Sequence, residues 1–454
     1  MRADEPPAGV AAAAEAARAR PVDRAPLVAL LVLAAALVVA LLLTTPWDPL
    51  GVPTDQQVAA DPSRDFTSAE QARADGYHAQ VRPVAYASLA VSLGLTLVLG
   101  LTPAGARVVS AAGRTFRRGW VVEVLGGGLL LLVLVRLATL PFAARVEAVR
   151  SSYGRSTRTW GGWAADVARS FALNAGLTLL AVLALVALAR RLPRRWWVPA
   201  AAGGAALVIV VSFAYPLVVE PVFNRFTPMP DGEMRDSLLA LAEADGVPVD
   251  DVLIADASRR TSTLNAYVSG FGSTRRIVAY DTLLDGAPPA EVEMVVAHEL
   301  GHAAEQDVLR GTLLGALGMA AGVCLLAVLL SRPGLLRRAG ATGPGDPRVV
   351  ALVLALVAVL SFATGPVQDL VSRRVESRAD VHALDLTRDP GTFASLQRSL
   401  ALASLSDLDP PPVVFGLFAT HPTAPMRIAL ARTWAEEAAA PPVPDLAPVA
   451  GSPR

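Results

Sequence analysis

A histidine pair and the glutamate between them are spaced to share one metal ion. His298, Glu299 and His302 form the motif H-E-L-G-H. Residues four apart stand on one face of a helix, so the two imidazoles could hold a single zinc ion. Glu299 could then face the open coordination position and accept a proton from a water there. Because the chain has only five histidines, the pattern fits a zinc site better than two unrelated surface histidines.

The third zinc ligand must come from outside the motif, because a catalytic zinc takes three protein ligands and keeps a fourth position open. Glu376 in V-E-S-R-A-D is the preferred candidate, with Asp380 four residues later on the same helical face. This pair fits a carboxylate ligand and an outer acid that orients a zinc-bound histidine. The interleaved arginines leave open a solvated charged face, and His382 and His421 are the fallback ligands. We therefore expect one Zn²⁺ per chain.

The composition is too apolar for a water-soluble protein of this length. Of 454 residues, 53% are hydrophobic and 18% are charged, and the mean hydropathy is +0.46. The formal net charge is zero, so no global field recruits nucleic acid. The expected partners are the lipid bilayer and a membrane-associated protein or peptide substrate. The chain has arginine but no lysine, a bias that indicates a GC-rich bacterial gene and hence a bacterial cell membrane.

Seven apolar stretches are long enough to cross a membrane, since a spanning helix needs about 20 mostly apolar residues. They lie at about 26–44, 84–101, 120–140, 171–189, 197–219, 311–331 and 349–368. No small-residue cleavage site follows the first stretch, so we interpret it as a retained helix rather than a signal peptide. The one cysteine, Cys324, lies inside an apolar run and excludes an intramolecular disulfide. The predicted fold is a mainly α, multi-pass membrane protein.

The polar segments between these stretches divide the chain into an alternation of membrane and soluble parts. We predict an N-terminal tail over 1–25, a five-helix transmembrane bundle over 26–219 with loops at 45–83 and 143–170, a soluble segment over 220–310, a transmembrane hairpin over 311–368, a second soluble segment over 369–438 and a disordered Pro-rich tail over 439–454. The two soluble segments would together form the metal-binding domain.

The soluble segments carry recognisable helix and strand patterns. A helix over 232–245 is followed by three strand-like runs, V-P-V-D-D-V-L-I-A-D, N-A-Y-V-S-G-F-G and R-R-I-V-A-Y-D. Pro288 and Pro289 then precede the helix that carries the H-E-L-G-H motif. Beyond the last span we predict helices over 369–388, over 390–405 and near 422–438.

Several further motifs accompany H-E-L-G-H in a fixed order. They are E-P-V-F-N-R-F-T-P-M (220–229), N-A-Y-V-S-G-F-G (265–272), R-R-I-V-A-Y-D-T-L-L (275–284), R-V-E-S-R-A-D (374–380) and F-A-T-H-P-T-A-P-M-R-I (418–428). With their placement relative to the predicted spans, these motifs resemble the type I CAAX prenyl endopeptidases. These are integral-membrane zinc proteases, and the HtpX-type heat-shock proteases are their shorter relatives. The resemblance covers about residues 120–435.

The resemblance implies a gluzincin-like zinc metalloprotease domain with a small β-sheet. In it, His298, His302 and Glu376 would hold zinc and Glu299 would be the general base. Asp380 would lie outside the ligands and orient one of them.

The same resemblance implies substrate-binding residues. Asn265, Ala266 and Tyr267 match an edge strand that pairs with the backbone of an extended substrate, a mode that accepts many peptide sequences. His421 and Arg427 match a pair beside the metal that could donate hydrogen bonds to the developing oxyanion. From the residues alone, an ordinary edge strand and a surface histidine are the alternatives.

This chain departs from the eukaryotic members next to the motif. Ala303, Ala304 and Asp307 stand where those members carry an aromatic and a different polar pattern. The resemblance thus implies a membrane zinc endopeptidase acting through a zinc-activated water, and leaves the substrate open. One alternative is an HtpX-type quality-control protease of broad specificity. A less expected alternative is a non-enzymatic transporter with a structural zinc.

The orientation in the membrane has two conflicting indicators. Loops after the second, fourth and sixth spans are rich in arginine, and the positive-inside rule would place them in the cytoplasm and the metal site outside. The resemblance implies the reverse, and loop 143–170 on the metal side is also rich in arginine. We therefore expect the zinc site on the cytoplasmic side.

Overall fold

The computed structural model of the chain describes residues 24–116, 119–270, 272 and 275–447. The helices of these residues are α1 (Ala25–Thr44), α2 (Pro62–Asp65), α3 (Ser68–Leu101), α4 (Pro103–Phe116), α5 (Trp120–Ser152), α6 (Trp160–Arg191), α7 (Trp197–Val218), α8 (Glu220–Phe223), α9 (Glu233–Ala244), α10 (Asp281–Gly286), α11 (Pro289–Ala304), α12 (Asp307–Leu330), α13 (Pro333–Arg338), α14 (Val350–Thr387), α15 (Pro390–Ser404), α16 (Pro412–Phe418) and α17 (Ala424–Glu437). The strands are β1 (Phe226–Pro228), β2 (Asp251–Ala255), β3 (Ala266–Ser269) and β4 (Arg276–Tyr280).

Seven of the described helices are long and apolar enough to cross a membrane, as predicted. They are α1, α3, α5, α6, α7, α12 and α14. Four of them have 32 to 38 residues. At 1.5 Å per residue these reach roughly 50 Å, well beyond an apolar layer of about 30 Å. Their polar ends therefore project from the membrane and become part of the soluble domain.

Helix α14 unites two elements that the sequence separates. The last predicted span, 349–368, and the predicted polar helix, 369–388, form one helix of 38 residues. Pro366 lies inside it without ending it, because helices in membranes tolerate a proline whose freed backbone group finds another partner. The span and the candidate ligand Glu376 therefore share one rigid axis.

The two predicted loops on the metal side are shorter than expected. Helix α3 begins at Ser68, where Thr67 and Glu70 form a reciprocal capping box, so only 45–67 of the predicted loop 45–83 precedes the helix. A cap of this kind satisfies two orphan donors and starts a helix in a polar sequence. Loop 143–170 likewise shrinks to 153–159, because α5 continues to Ser152 and α6 begins at Trp160.

A four-stranded sheet in the order β1-β2-β4-β3 supports the metal-side domain. Strand β2 pairs in parallel with β4, and the two outer pairs are antiparallel. Strands β2, β3 and β4 confirm the three predicted runs. Strand β1 was not predicted because three residues are too few to show an alternating pattern.

Helix α11 is the central element of the soluble domain. Pro288 occupies the N-cap position, and Pro289 lies in the first turn, where a missing backbone donor has no cost. The helix packs against β3, α14 and α15, and Val296, Ala297 and Leu300 are fully buried there. The surroundings on several sides fix the rotation of α11 and hence the direction of the histidines on it.

An ion pair buried in the soluble domain joins the first loop to the C-terminal segment. Arg432 on α17 donates to both oxygens of Asp65 at 2.9 and 2.6 Å, and the Asp65 side chain is completely buried. The backbone N–H of Leu446 also donates to Asp65, and Arg64 pairs with Asp445. Residues 443–446, expected in a disordered tail, are thus held by specific contacts. The predicted tails over 1–23 and 448–454 lie outside the described residues.

Replacing Asp65 with asparagine should destabilise the protein, because the buried Arg432 guanidinium would lose its closest counter-charge and keep only Asp445 at 3.6 Å. Removing one partner of a buried pair typically costs about 3–5 kcal/mol. We expect Asp65→Asn to lower the thermal unfolding temperature in detergent clearly below that of Asp55→Asn, an exposed position of the same loop. Equal unfolding temperatures for the two variants would show that the pair adds no stability.

Candidate active site

The two motif histidines and Glu376 converge as a compact set of metal donors. Nε2 of His298 lies 3.2 Å from Nε2 of His302, and the carboxylate oxygens of Glu376 lie 3.4 and 3.7 Å from these two nitrogens. Donors about 2.0–2.1 Å from a tetrahedral zinc ion lie roughly 3.3 Å from each other. The spacing and the two-nitrogen, one-carboxylate donor set therefore fit zinc with a fourth position open.

The ligand set is assembled across the membrane hairpin. Helix periodicity places His298 and His302 on one face of α11. Glu376 comes from the polar end of α14, which returns to the same side after α12 has crossed the membrane. Helices α11 and α14 pack directly against each other. The third donor is thus far in sequence and close in space because two spans intervene.

His298 is held by an outer carboxylate. Its Nδ1 lies 3.0 Å from Asp380, whose side chain is completely buried, and Nε of Arg427 donates to Asp380 at 2.8 Å. Burial lowers the pKa of the His298 imidazole, but hydrogen bonds to Asp380 and Glu376 outweigh burial and raise this pKa to about 9. An incoming cation must therefore displace a proton from His298 at neutral pH.

His302 is held by a second carboxylate that the sequence analysis did not assign to the site. Nδ1 of His302 lies 2.9 Å from Asp307 Oδ2, and Nη2 of Arg378 donates to both oxygens of Asp307. Asp307 is the first residue of α12, and Arg378 lies on α14 between Glu376 and Asp380. In the sequence Asp307 is visible only as an acid five residues after His302. The turn between α11 and α12 places its carboxylate within hydrogen-bond distance of the His302 ring.

Replacing Asp307 with asparagine should weaken zinc binding. The neutral amide no longer favours the tautomer of His302 that presents Nε2 to the metal, and loss of such an outer partner typically lowers affinity by about 10–100-fold. Competition with a chromogenic chelator would measure the dissociation constant. Glu243→Gln is the matched control, because it removes one exposed carboxylate of α9 in the same domain. A dissociation constant for Asp307→Asn equal to that of the control would contradict the assignment.

Glu299 lies between the two histidines on α11 and is partly buried. Burial raises the pKa of its carboxyl above the ordinary value, and this effect outweighs the nearby histidines. A carboxylate with a raised pKa is a stronger base than one in water, so it can accept a proton from a nearby water near neutral pH.

The two fallback ligands, His421 and His382, lie at different distances from the metal donors. Nε2 of His421 lies 3.4 Å from Glu376, and the His421 side chain is 57% exposed in the loop between α16 and α17. His382 instead pairs with Asp245 at 2.9 Å, and its ring lies over Gly301, where an added Cβ would approach it to 3.0 Å. His382 is therefore outside the donor set.

Arg427 lies beside the metal donors, as the resemblance implies, with its Nη2 3.3 Å from Nδ1 of His298. Its guanidinium also contacts both oxygens of Asp380, so it orients this outer carboxylate. Its role toward an oxyanion stays a prediction.

Strand β3 forms an edge of the sheet, as the resemblance implies for Asn265–Tyr267. Ala266 and Tyr267 lie on the strand, and the carbonyl of Asn265 accepts from the N–H of Tyr280 at its start. Tyr267 donates its hydroxyl to Glu220 at 3.2 Å. Loop 153–159 packs against the segment that leads into β3, with Ser156 bridged to Thr261. Strand β3 also packs directly against α11.

The chain matches known proteins over most of its length. Residues 228–435 match Peptidase family M48, and residues 56–225 match the family described as CAAX prenyl protease N-terminal, five membrane helices. A Bacillus subtilis protein named Uncharacterized metalloprotease YhfN is 31% identical over 309 residues, covering 68% of this chain and 72% of that protein. The chain belongs to peptidase family M48.

Other M48 relatives include CAAX prenyl protease 1 of Saccharomyces cerevisiae. It is 28% identical over 236 residues, which cover 48% of this chain and 52% of the yeast protein. The crystal structure of S. mikatae Ste24p has a TM-score of 0.73 and 20% identity, and the match covers 90% of this chain and all of that one. At this identity the likeness shows a shared fold.

This M48 peptidase is therefore a membrane metalloprotease with several spans and a metal cofactor. The predicted fold class and family are confirmed. The alternative of a non-enzymatic transporter loses its basis, because the family match covers the segments that carry the metal donors.

Proposed function

We propose that this M48 peptidase is a zinc endopeptidase that hydrolyses peptide bonds in membrane-associated proteins or peptides. The observation that supports this most strongly is the donor set of His298, His302 and Glu376, with separations of 3.2 to 3.7 Å. Zinc bound there would lower the pKa of a water molecule and polarise the scissile carbonyl.

The residues around the donors have distinct roles in this proposal. Glu299 accepts a proton from the attacking water and returns it to the nitrogen of the leaving amine. His421 donates a hydrogen bond to the developing oxyanion. Asp380 and Asp307 hold the histidine rings in the orientation that presents Nε2 to the metal. The outer edge of β3 binds the substrate backbone as an added strand.

The substrate peptide and the metal can be identified in one experiment. Purified full-length protein in liposomes is incubated with a mixture of membrane peptides, and mass spectrometry locates new termini. We expect internal cleavage that stops with a zinc chelator and returns with added zinc. Few cleavage sites would indicate processing of a defined substrate, whereas many sites would favour the quality-control alternative. Cleavage that is unchanged after chelation would contradict a zinc enzyme.

We further propose that the metal site faces the cytoplasm of a bacterial cell. The arginine-rich, lysine-free composition supports a bacterial host, and the resemblance supports the cytoplasmic orientation, against the positive-inside count of the short loops. Single cysteines can test it in a Cys324→Ala background, because no other cysteine is present. Asp231→Cys reports the metal side, since the Asp231 side chain is 99% exposed there, and Gly334→Cys reports the opposite side. In intact cells an impermeant thiol reagent should label position 334 and spare position 231. The reverse pattern would place the site outside.

A further inference from the structure

On the side of the membrane opposite the metal donors, the segments that follow α3, α6 and α12 pack into one surface. Nη1 of Arg190, near the end of α6, donates to the carbonyl of Gly345 at 3.0 Å. Trp196 and Leu336 belong to one buried apolar cluster, and residues 347–349 pack against α4 and α5. The three segments therefore hold one another in place, and the side chains on them share a fixed scaffold.

This surface exposes a set of arginine side chains. Arg107 and Arg114 lie two helical turns apart on α4 and hence on one face of that helix. Besides Arg190, the described residues expose eight arginines here, which together form the arginine surface: Arg107, Arg114, Arg191, Arg194, Arg195, Arg332, Arg337 and Arg338.

Carboxylates are scarce on this side of the protein. The described residues of the three segments and of the adjoining helix ends include two acids, Glu123 and Asp346. Asp346 accepts from Nε and Nη2 of Arg348 at 3.0 and 2.7 Å. Glu123 lies against Gly113 and attracts the same arginine. The arginine surface therefore has no carboxylate partner among the described residues, and its summed positive field attracts anions.

The arginine surface lies at the boundary of the apolar layer. Each of its members is within about two helical turns of the end of a predicted span. Leu192 and Val198, in the loop of Arg194, are 45% and 47% exposed. Trp120 and Trp197 begin α5 and α7, the place where tryptophan typically marks the membrane interface. A phospholipid offers a phosphate and an acyl chain to this mixture of charged and apolar side chains, whereas a soluble acidic protein offers only the charge.

We propose that the arginine surface binds the headgroups of anionic phospholipids in the leaflet opposite the metal site. The phosphate oxygens accept hydrogen bonds from the guanidinium groups, whose planar fork suits phosphate. Each arginine close to an anionic membrane surface typically raises the binding constant by about fivefold. This lipid binding is independent of the peptidase activity. It also gives a physical reason for arginines that the proposed orientation places outside the cytoplasm, against the positive-inside rule.

Lipid selectivity can be measured on the full-length protein in phosphatidylcholine liposomes. Trace spin-labelled phosphatidylglycerol or phosphatidylcholine is added, and electron paramagnetic resonance gives the share of each probe that the protein immobilises. The ratio of the two shares gives a relative association constant. The test variant combines Arg194→Gln, Arg195→Gln, Arg337→Gln and Arg338→Gln. The control removes the same charge from exposed arginines of the metal side through Arg73→Gln, Arg145→Gln, Arg150→Gln and Arg225→Gln. A third variant carries lysine at the four test positions.

We expect the wild type and the control to prefer phosphatidylglycerol at least about threefold in about 0.05 M NaCl. The preference should largely vanish in about 1 M NaCl, where the screening length is about 3 Å. The test variant should bind both lipids nearly equally, and the lysine variant should keep most of the preference. If the fourfold variant does not fold, Arg194→Gln with Arg195→Gln alone should still lower the ratio.

Three results would overturn the lipid site. One is equal association of both lipids with the wild type. Another is an equal loss of preference in the test variant and the control, which would assign the effect to overall charge. The third is binding of soluble polyglutamate to the wild type and not to the test variant, without any lipid preference, which would assign the arginine surface to an acidic protein partner.

Discussion

Glutamine in place of Glu299 should reduce peptide cleavage by about 10²–10⁴-fold, the usual contribution of a general base. The amide has the shape of the carboxylate but cannot accept a proton from water. Glu299 is not among the three converging donors, so the variant should keep its zinc content and its unfolding temperature. The measurement is kcat for a quenched peptide, with metal analysis of the same preparation.

The matched control for this variant is Glu243→Gln, which removes one exposed carboxylate of α9. It should cleave at the wild-type rate. Cleavage by Glu299→Gln within tenfold of the control would assign the proton transfer to another group. A loss of zinc together with activity would instead indicate that Glu299 supports the metal.

Removal of the Glu376 carboxylate should have the second large effect, on the metal itself. We expect Glu376→Ala to lower zinc affinity by more than the roughly 100-fold typical of an outer partner, because one of three donors is lost. The apparent dissociation constant comes from chelator competition. Asp369→Asn lies two helical turns earlier on α14 and is the control for changing an acid on this helix. Retention of wild-type affinity by Glu376→Ala would show that another residue completes the site.

The sequence predicts the parts of the site that depend on local spacing. His298 and His302 meet because helix periodicity alone sets their separation. The seven spans are predicted by runs of about 20 apolar residues, which can be recognised directly in the sequence without knowledge of the fold. Glu376 was the preferred third ligand because Asp380 follows it on the same helical face, and the family motif implies the same choice, although the neighbouring arginines left open a solvated charged face.

The parts that the sequence does not predict depend on contacts between distant segments. Asp307 serves His302 only because the chain reverses between α11 and α12, and Arg378 reaches it from beyond the hairpin. Asp65 and Arg432 are separated by 367 positions, and Leu446 and Asp445 contact this same cluster. The Pro-rich composition of 439–454 carries no sign of these contacts, and for this reason it predicted disorder. Strand β1 can be recognised only from its antiparallel pairing with β2. Each case requires the assembled fold.

The most direct test of a zinc endopeptidase at this site is a titration of zinc into metal-free protein in liposomes, with peptide cleavage followed at each step. We predict that cleavage rises from zero to a plateau at one zinc per chain. Glu299→Gln should bind the same amount of zinc and remain inactive. Cleavage by the metal-free protein, or a wild-type rate in zinc-loaded Glu299→Gln, would contradict the assignment.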